Sequence, residues 1–360
     1  MRFPEFTGEW EKYRNETLFQ TISEKNKDKS ITKILSASQQ QGMVERDSLG
    51  LDIKFDYNSI SSYKIVRKGD YVIHLRSFQG GFAFSEQIGV CSPAYTILRP
   101  SPVISYGFLK YHFVSNKFID ALRIVTYGIR DGRSISVEEW LKLYTSLPKT
   151  EEQNKIIQFL NLIEKRIETQ IRVIEDLQSL KKAISAKIFT TLNEVKTEKL
   201  GNLCTITTGK LDANAMTDDG QYMFFTCSRE TYKTDTFAFD GEALLIAGNG
   251  EIGSVKYYDG KFNAYQRTYV LQNFSANIKY LQFYIEHYLP KRVLKEKNVG
   301  AMPYIILSTL ADMKIRLPNL QKQNNIVQVL QAIENKISVE SKLLSLLSTQ
   351  KQYLLQQMFI

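Results

Sequence analysis

The chain has 360 residues, a net charge of +9 and a pI near 9.1, with 43% hydrophobic and 24% charged residues. That length predicts two or three domains of about 100–200 residues each, and the composition excludes disordered, fibrous and collagen-like chains. The basic excess leans toward a polyanionic partner, while Cys91, Cys204 and Cys227, odd in number and without CxxC spacing, exclude a disulfide framework and a structural zinc site.

From the N-terminus, Met1-Arg2-Phe3-Pro4-Glu5-Phe6 carries no apolar signal region, and no stretch reaches about 18 apolar residues without a charge. A cytoplasmic protein with no membrane span is expected. Residues 1–146 form a block of mixed character. Lys68-Gly69-Asp70 leads into the apolar run Tyr71 to Leu75, then Gln79-Gly80-Gly81, then a second run from Tyr95 to Leu98. This order reads as turn, strand, glycine loop, strand, and an amphipathic stretch follows from Phe108 to Leu122. His74 and His112 here, and His287 later, are isolated from one another and from the cysteines, so each is expected to be a core or surface residue and not a metal ligand.

Leu147-Pro148 then opens a segment that holds no further proline or glycine through Phe189, the signature of a long helix. Ile156, Leu160, Ile163, Ile167, Ile174, Leu177, Ile184 and Ile188 recur at steps of three and four, a heptad stripe. Residues 197–316 repeat the character of the first block. Asp240-Gly241-Glu242 precedes Ala243 to Ile246, then Gly248-Asn249-Gly250, then Thr268 to Leu271, and an amphipathic stretch runs from Ile278 to Leu294. Gly248 to Gly253 satisfies G-x-G-x-x-G, but a cofactor site needs a helix next, and Ser254 to Gly260 reads as another strand ending in a turn. A hairpin loop is therefore expected there. No Walker, zincin or nucleophile-elbow motif occurs, and no cofactor, metal or catalytic residue is assigned.

Leu317-Pro318 opens the second long helix. Leu147 to Phe189 and Leu317 to Phe359 align without a gap at an offset of 170, with 13 of 43 positions identical, among them Gln153/Gln323 and Glu164/Glu334. The expected fold is α+β: two globular α/β blocks (1–146 and 197–316) separated by two long helices (147–196 and 317–360) that form an antiparallel coiled coil, with a pseudo-two-fold internal repeat. The stripes are interrupted at matching places, Gln170 and Lys181 in the first, Glu340 and Lys351 in the second. Antiparallel pairing predicts Lys181 against Glu340 and Lys351 against Gln170, polar contacts that set register.

The blocks hold residue types suited to duplex DNA. Arg76, Ser77 and Gln79 follow one strand, Arg130 and Arg133 lie in a glycine-flanked basic loop, and Lys210, Asn249, Gln266 and Arg267 lie in loops of the second block. Arg pairs with guanine O6 and N7, Gln and Asn with adenine, and Lys and Ser hold phosphates. The charge is thinly spread, with 20 basic against 16 acidic residues over 1–146 and 14 against 13 over 197–316. A coiled-coil scaffold that assembles protein partners without reading DNA remains the alternative, and a methyltransferase using the Gly248 loop is a third.

The twofold Leu-Pro-x-x-x-x-Gln-x-x-Ile, with Phe3-Pro4-Glu5-Phe6, Trp10 and Gly69-Asp70-Tyr71, resembles the specificity subunit of type I restriction–modification systems. One departure is Lys322 in the place of Glu152. The resemblance implies a non-catalytic reader of double-stranded DNA in which each block recognises one half of a bipartite target. It also implies two modification (methyltransferase) subunits docked on the helices, and restriction/translocase subunits in the full complex.

Overall fold

A computed structural model describes residues 2–38, 41–49, 57–128, 133–296 and 304–359, which divide into two compact units, Met1–Gln170 with Leu343–Ile360, and Ile171–Lys342. Two long helices, Thr150–Thr190 and Leu320–Met358, begin two residues after Pro148 and Pro318, and the residue before each proline, Leu147 or Leu317, ends a strand, as fits the extended backbone that a following proline favours. Each helix contributes one part to each unit.

In the first unit, β1 (Glu11–Arg14), β2 (Phe19–Ile22), β3 (Tyr71–Ile73), β4 (Ala83–Phe84), β5 (Thr96–Pro100) and β6 (Tyr144–Leu147) carry the architecture. Four of them make an antiparallel sheet in the order β2-β5-β3-β4. β1 pairs antiparallel with β6, Glu11 opposite Leu147, so the chain enters and leaves the block side by side. The core is aromatic: Trp140 packs on Phe82 at 4.8 Å and Phe19 at 5.5 Å, and Phe108 packs on Phe359 at 5.5 Å. Ile156 and Leu160 of the first long helix and Leu354 and Met358 of the second join that same core. The two helix segments run antiparallel, since Glu164 meets Lys351 while Leu160 and Ile156 share their cluster with Leu354 and Met358. The amphipathic stretch expected over Phe108–Leu122 is broken into Phe108–Phe113 and Asn116–Ala121, because Ser115 caps the second piece by accepting the Phe118 N–H.

His112 is a core residue. Its Nδ1 is buried without a partner among Phe113, Phe118 and Phe359, and burial, with Lys117 adding to it, pushes its pKa down to about 4. The folded form holds the ring neutral, so between pH 6.5 and about 4 the unfolded chain binds the extra proton and stability falls as pH drops. We expect a loss of about 3 kcal/mol across that window, and His112→Leu should flatten it. Urea unfolding at a series of pH values measures the slope, and an unchanged slope in the variant would refute the assignment.

In the second unit, β7 (Lys196–Lys199), β8 (Thr205–Thr208), β9 (Ala243–Ala247), β10 (Val255–Tyr258), β11 (Thr268–Gln272) and β12 (Lys314–Leu317) follow the same plan. The antiparallel sheet has the order β8-β11-β9-β10, and β7 pairs with β12, Lys196 opposite Leu317. The G-x-G-x-x-G segment joins β9 to β10 as a hairpin, with no helix after it. The helix Ile278–Glu296 buries Tyr280, Leu281, Phe283, Tyr284, Ile285 and Leu289, in one core with Phe189, Ile326 and Leu330 of the long helices.

The repeated glutamine of the Leu-Pro motif has a physical role in each unit. Gln153 is fully buried, donates from Nε2 to Pro148 O (2.9 Å) and Val103 O (3.0 Å), and accepts the Ser105 N–H (2.8 Å). Gln323 donates to Pro318 O (2.9 Å) and accepts the Asn277 N–H (3.1 Å). Both amides staple a helix start to a block through backbone groups alone.

Candidate nucleic-acid interface

Antiparallel pairing gathers loops from distant parts of the sequence at one end of each four-stranded sheet. In the second unit, β8 ends at Thr208 opposite Tyr269 and β9 ends at Ala247 opposite Thr268. Gly209 N–H donates to Thr268 O (3.1 Å), Gln266 N–H to Leu211 O (2.9 Å), and Gly248 N–H to Arg267 O (3.0 Å). These bonds tie together the three loops that carry Lys210, Asn249, Gln266 and Arg267. Lys210, Gln266 and Arg267 are exposed and Asn249 is half-buried. Glycine is required where the loops touch, since a Cβ on Gly209 would lie 1.9 Å from Ala264 O.

The first unit presents the corresponding end. β3 ends at Ile73 opposite Thr96, and the chain then turns through the short helix Ser77–Gly80. Arg76 and Gln79 are exposed on this turn, and Arg133 is exposed beside the strand Ser134–Ile135, which packs against the same turn. Ser77 departs from expectation. It is 1% exposed, and its Oγ accepts the His74 N–H at 2.6 Å, so the hydroxyl closes the turn from inside and is withdrawn from any ligand. Arg130 lies outside the described residues. Sequence reasoning missed the segment Thr226–Glu230, which reaches the same end of the second sheet: Cys227 Sγ donates to Arg267 O (3.2 Å), and Glu251 N–H donates to Cys227 O (2.9 Å). No motif marks this segment, because only tertiary contact brings it there.

The ends carry both signs, with Lys210, Arg229, Lys256 and Arg267 accompanied by Asp212, Glu230 and Glu251. Such a mixture of donors and acceptors suits readout of base edges more than dense phosphate clamping. Among the described residues no group of His, Cys, Asp and Glu could hold a metal ion, and no helix is long and apolar enough to cross a membrane.

The register contacts differ from the expected ones. Lys181 Nζ bonds Glu334 Oε1 (3.0 Å) and Glu286 Oε2 (3.1 Å) rather than Glu340, and Lys351 Nζ bonds Glu164 Oε1 (2.7 Å) rather than Gln170. The partner in each unit stands six residues before the expected one. Glu340 instead pairs with Lys336 one turn back on its own helix, at 2.5 Å. Both contacts use one repeated pair of positions, a glutamate at 164 and 334 and a lysine at 181 and 351. Burial works to raise the Glu164 carboxyl, but the Lys351 hydrogen bond and charge, with Lys110 and Tyr111, hold it below its ordinary value. For Lys181, burial is outweighed by Glu286 and Glu334, which raise it. Lys351→Glu should destabilise the first unit, and adding Glu164→Lys should recover most of the loss, with a coupling of about 1–3 kcal/mol. Recovery stops short because Lys110 Nζ lies 3.4 Å from Glu164 Oε2 and would face a second cation. Strictly additive single-variant effects in a double-mutant cycle would rule this contact out.

Residues 193–349 match the family model described as type I restriction modification DNA specificity domain. A stretch of 138 residues, 38% of the chain, is 40% identical to the type I restriction enzyme EcoDI specificity subunit of Escherichia coli and covers 31% of that protein. Over 98 residues, 27% of the chain, identity to the type I restriction enzyme MpnII specificity subunit of Mycoplasma pneumoniae is 35%, covering 29% of that protein. The chain thus spans less than a third of the length of these two relatives. The fold matches the crystal structure of a type I restriction–modification S subunit from M. genitalium with a TM-score of 0.60 at 15% identity, over 100% of this chain and 99% of that one. A second solved chain, from work on complex assembly and conformational transition of the type I system, gives 0.61 at 16% identity over 99% and 98%. In its second half the chain is thus similar to type I restriction–modification specificity subunits, and over its whole length it shares the fold of solved S subunits.

Proposed function

We propose that the chain is the non-catalytic DNA-recognition subunit of a cytoplasmic type I restriction–modification enzyme. Residues 1–146 and 197–316 act as target recognition domains, each reading one half of a bipartite duplex target. The helical segments 147–196 and 317–360 set the spacing of the two halves and dock two modification subunits, and restriction/translocase subunits complete the enzyme. The observation that carries this reading is the pair of loop clusters at corresponding sheet ends, Arg76, Gln79 and Arg133 in one block and Lys210, Asn249, Gln266 and Arg267 in the other. Each cluster combines exposed fork-shaped and amide donors, the groups that discriminate bases in the major groove.

The test is a comparison of methylated motifs in cells that produce the modification subunits with and without this chain. A bipartite methylated motif that depends on the chain is expected. In vitro, the assembled complex should prefer that duplex over unrelated DNA by about a thousandfold or more, with affinity falling as salt rises. Assembly of the partners with no chain-dependent motif would support instead a scaffold that does not read DNA.

A further inference from the structure

The segment Thr226–Glu230 at the second unit's sheet end is held in an unusual way. Lys256 Nζ, on β10, donates to three consecutive backbone carbonyls, Ser228 O at 3.0 Å, Arg229 O at 2.8 Å and Glu230 O at 3.0 Å. An ammonium has three donors, and all three are spent here on the backbone. Three successive carbonyl dipoles converging on one point repel one another unless a cation sits between them, so this turn depends on Lys256. Burial also lowers the Lys256 pKa, the expected consequence of holding an ammonium on neutral partners away from water. The segment is tied down from its other side as well: Gly250, at φ +59°, passes so close that a Cβ there would lie 2.8 Å from Cys227 O.

What this scaffolding presents is Arg229. Its side chain is 85% exposed, and Nε is aimed by Glu251 Oε2 at 3.1 Å. Glu251 belongs to the same hairpin loop as Asn249, so the guanidinium stands beside the cluster of Lys210, Asn249, Gln266 and Arg267. An exposed arginine with a rigid backbone and an orienting carboxylate is pre-organised for bidentate recognition, because little conformational freedom is left to lose on binding.

We propose that Arg229 reads a base pair in the half-site recognised by the second block, and that Lys256 is its positioning residue, acting on the loop backbone without touching DNA. This rests on the DNA-recognition reading above. A guanine is the natural partner, since the guanidinium fork matches O6 and N7.

The experiment uses the chain assembled with its modification subunits, scoring methylated motifs in cells and binding to duplexes varied one base pair at a time. Arg229→Lys keeps the charge but loses the fork, and should lower discrimination at one base pair of one half-site by roughly tenfold to a hundredfold. Lys256→Met should relax the same base pair, and Lys256→Arg, which still donates to the carbonyls, should restore it. The salt slope of binding should stay unchanged in both Arg229→Lys and Lys256→Met, because neither variant removes a phosphate contact. Weakening that is uniform over all sequences overturns the assignment. So does an unchanged half-site in both variants while exchange of residues 197–316 shifts it. If that block exchange itself leaves the half-site unchanged, the DNA-recognition reading is what fails.

Discussion

If the proposed function holds, replacing the block between β1 and β6 with the corresponding block of a type I specificity subunit should redirect one half of the methylated motif and leave the other half and the spacer as they were. The joins favour this outcome. Glu11 stands opposite Leu147 in an antiparallel ribbon, so an inserted block begins and ends at adjacent points and needs no change in the helix that follows. The staple at the helix start makes no demand on block side chains either, because Gln153 bonds only Val103 O, Pro148 O and the Ser105 N–H. Side-chain contacts do exist: Tyr111 donates to Glu164 at 2.8 Å and must be carried across, while Arg2, which precedes β1, keeps its bidentate pair with Glu152 at 2.6 Å. Keeping residues 2–10 and a Tyr at the position of Tyr111 therefore belongs to the design. Sequencing that detects modified bases gives the readout. A folded hybrid that shifts both half-sites, or neither, would sink the division of labour between blocks.

The helices were legible because an internal repeat reports itself twice. Heptad spacing, the Leu-Pro start and the absence of glycine marked both long helices, but the first ends at Thr190, six residues before the expected boundary at 196, where the strand Lys196–Lys199 begins. Their pairing was not legible. Attention to the interruptions of the stripe pointed to Glu340 and Gln170, whereas the lysines reach Glu334 and Glu164, which lie one position beside the stripe residues Ile333 and Ile163. The long lysine side chain bridges to the flank of the seam, and flank contacts depend on the helix rotation, which spacing alone leaves open. In the blocks, apolar runs and glycine turns marked β3, β5, β9 and β11, but nothing local encodes the order in which four strands join a sheet. Ser77 shows the same limit on a small scale. It lies between two exposed candidates in sequence, yet a single helical turn is too short for a periodic pattern to reveal that it points inward. The core contact of Trp10 with Phe359, 6.5 Å between ring centroids, joins the two ends of the chain and was likewise beyond local reading.

Removal of one heptad from each long helix at matching positions, 168–174 and 338–344, should shorten the unread spacer of the target by about three base pairs. A heptad is about 10 Å of helix at ~1.5 Å per residue, and duplex DNA rises about 3.4 Å per base pair. The positions matter. Glu164 and Lys351 lie outside both deletions, as do Lys181 and Glu334, so each unit keeps its own polar contact. Seven residues are close to two turns, so the apolar stripe returns to nearly the same face with a lag of ~20°. Deleting the heptad from only one helix cannot satisfy both contacts at once. One lysine then loses its glutamate and the apolar seam slips by a heptad, so that variant should unfold more readily than the paired deletion, by about 1–3 kcal/mol for the lost charged hydrogen bond alone. Recovery of a methylated motif with both half-sites intact and a shorter spacer in the paired deletion, but not in the single one, would establish the helices as the element that measures distance along DNA. A folded, active paired deletion that still methylates at the original spacing would assign that measurement to the docked subunits instead.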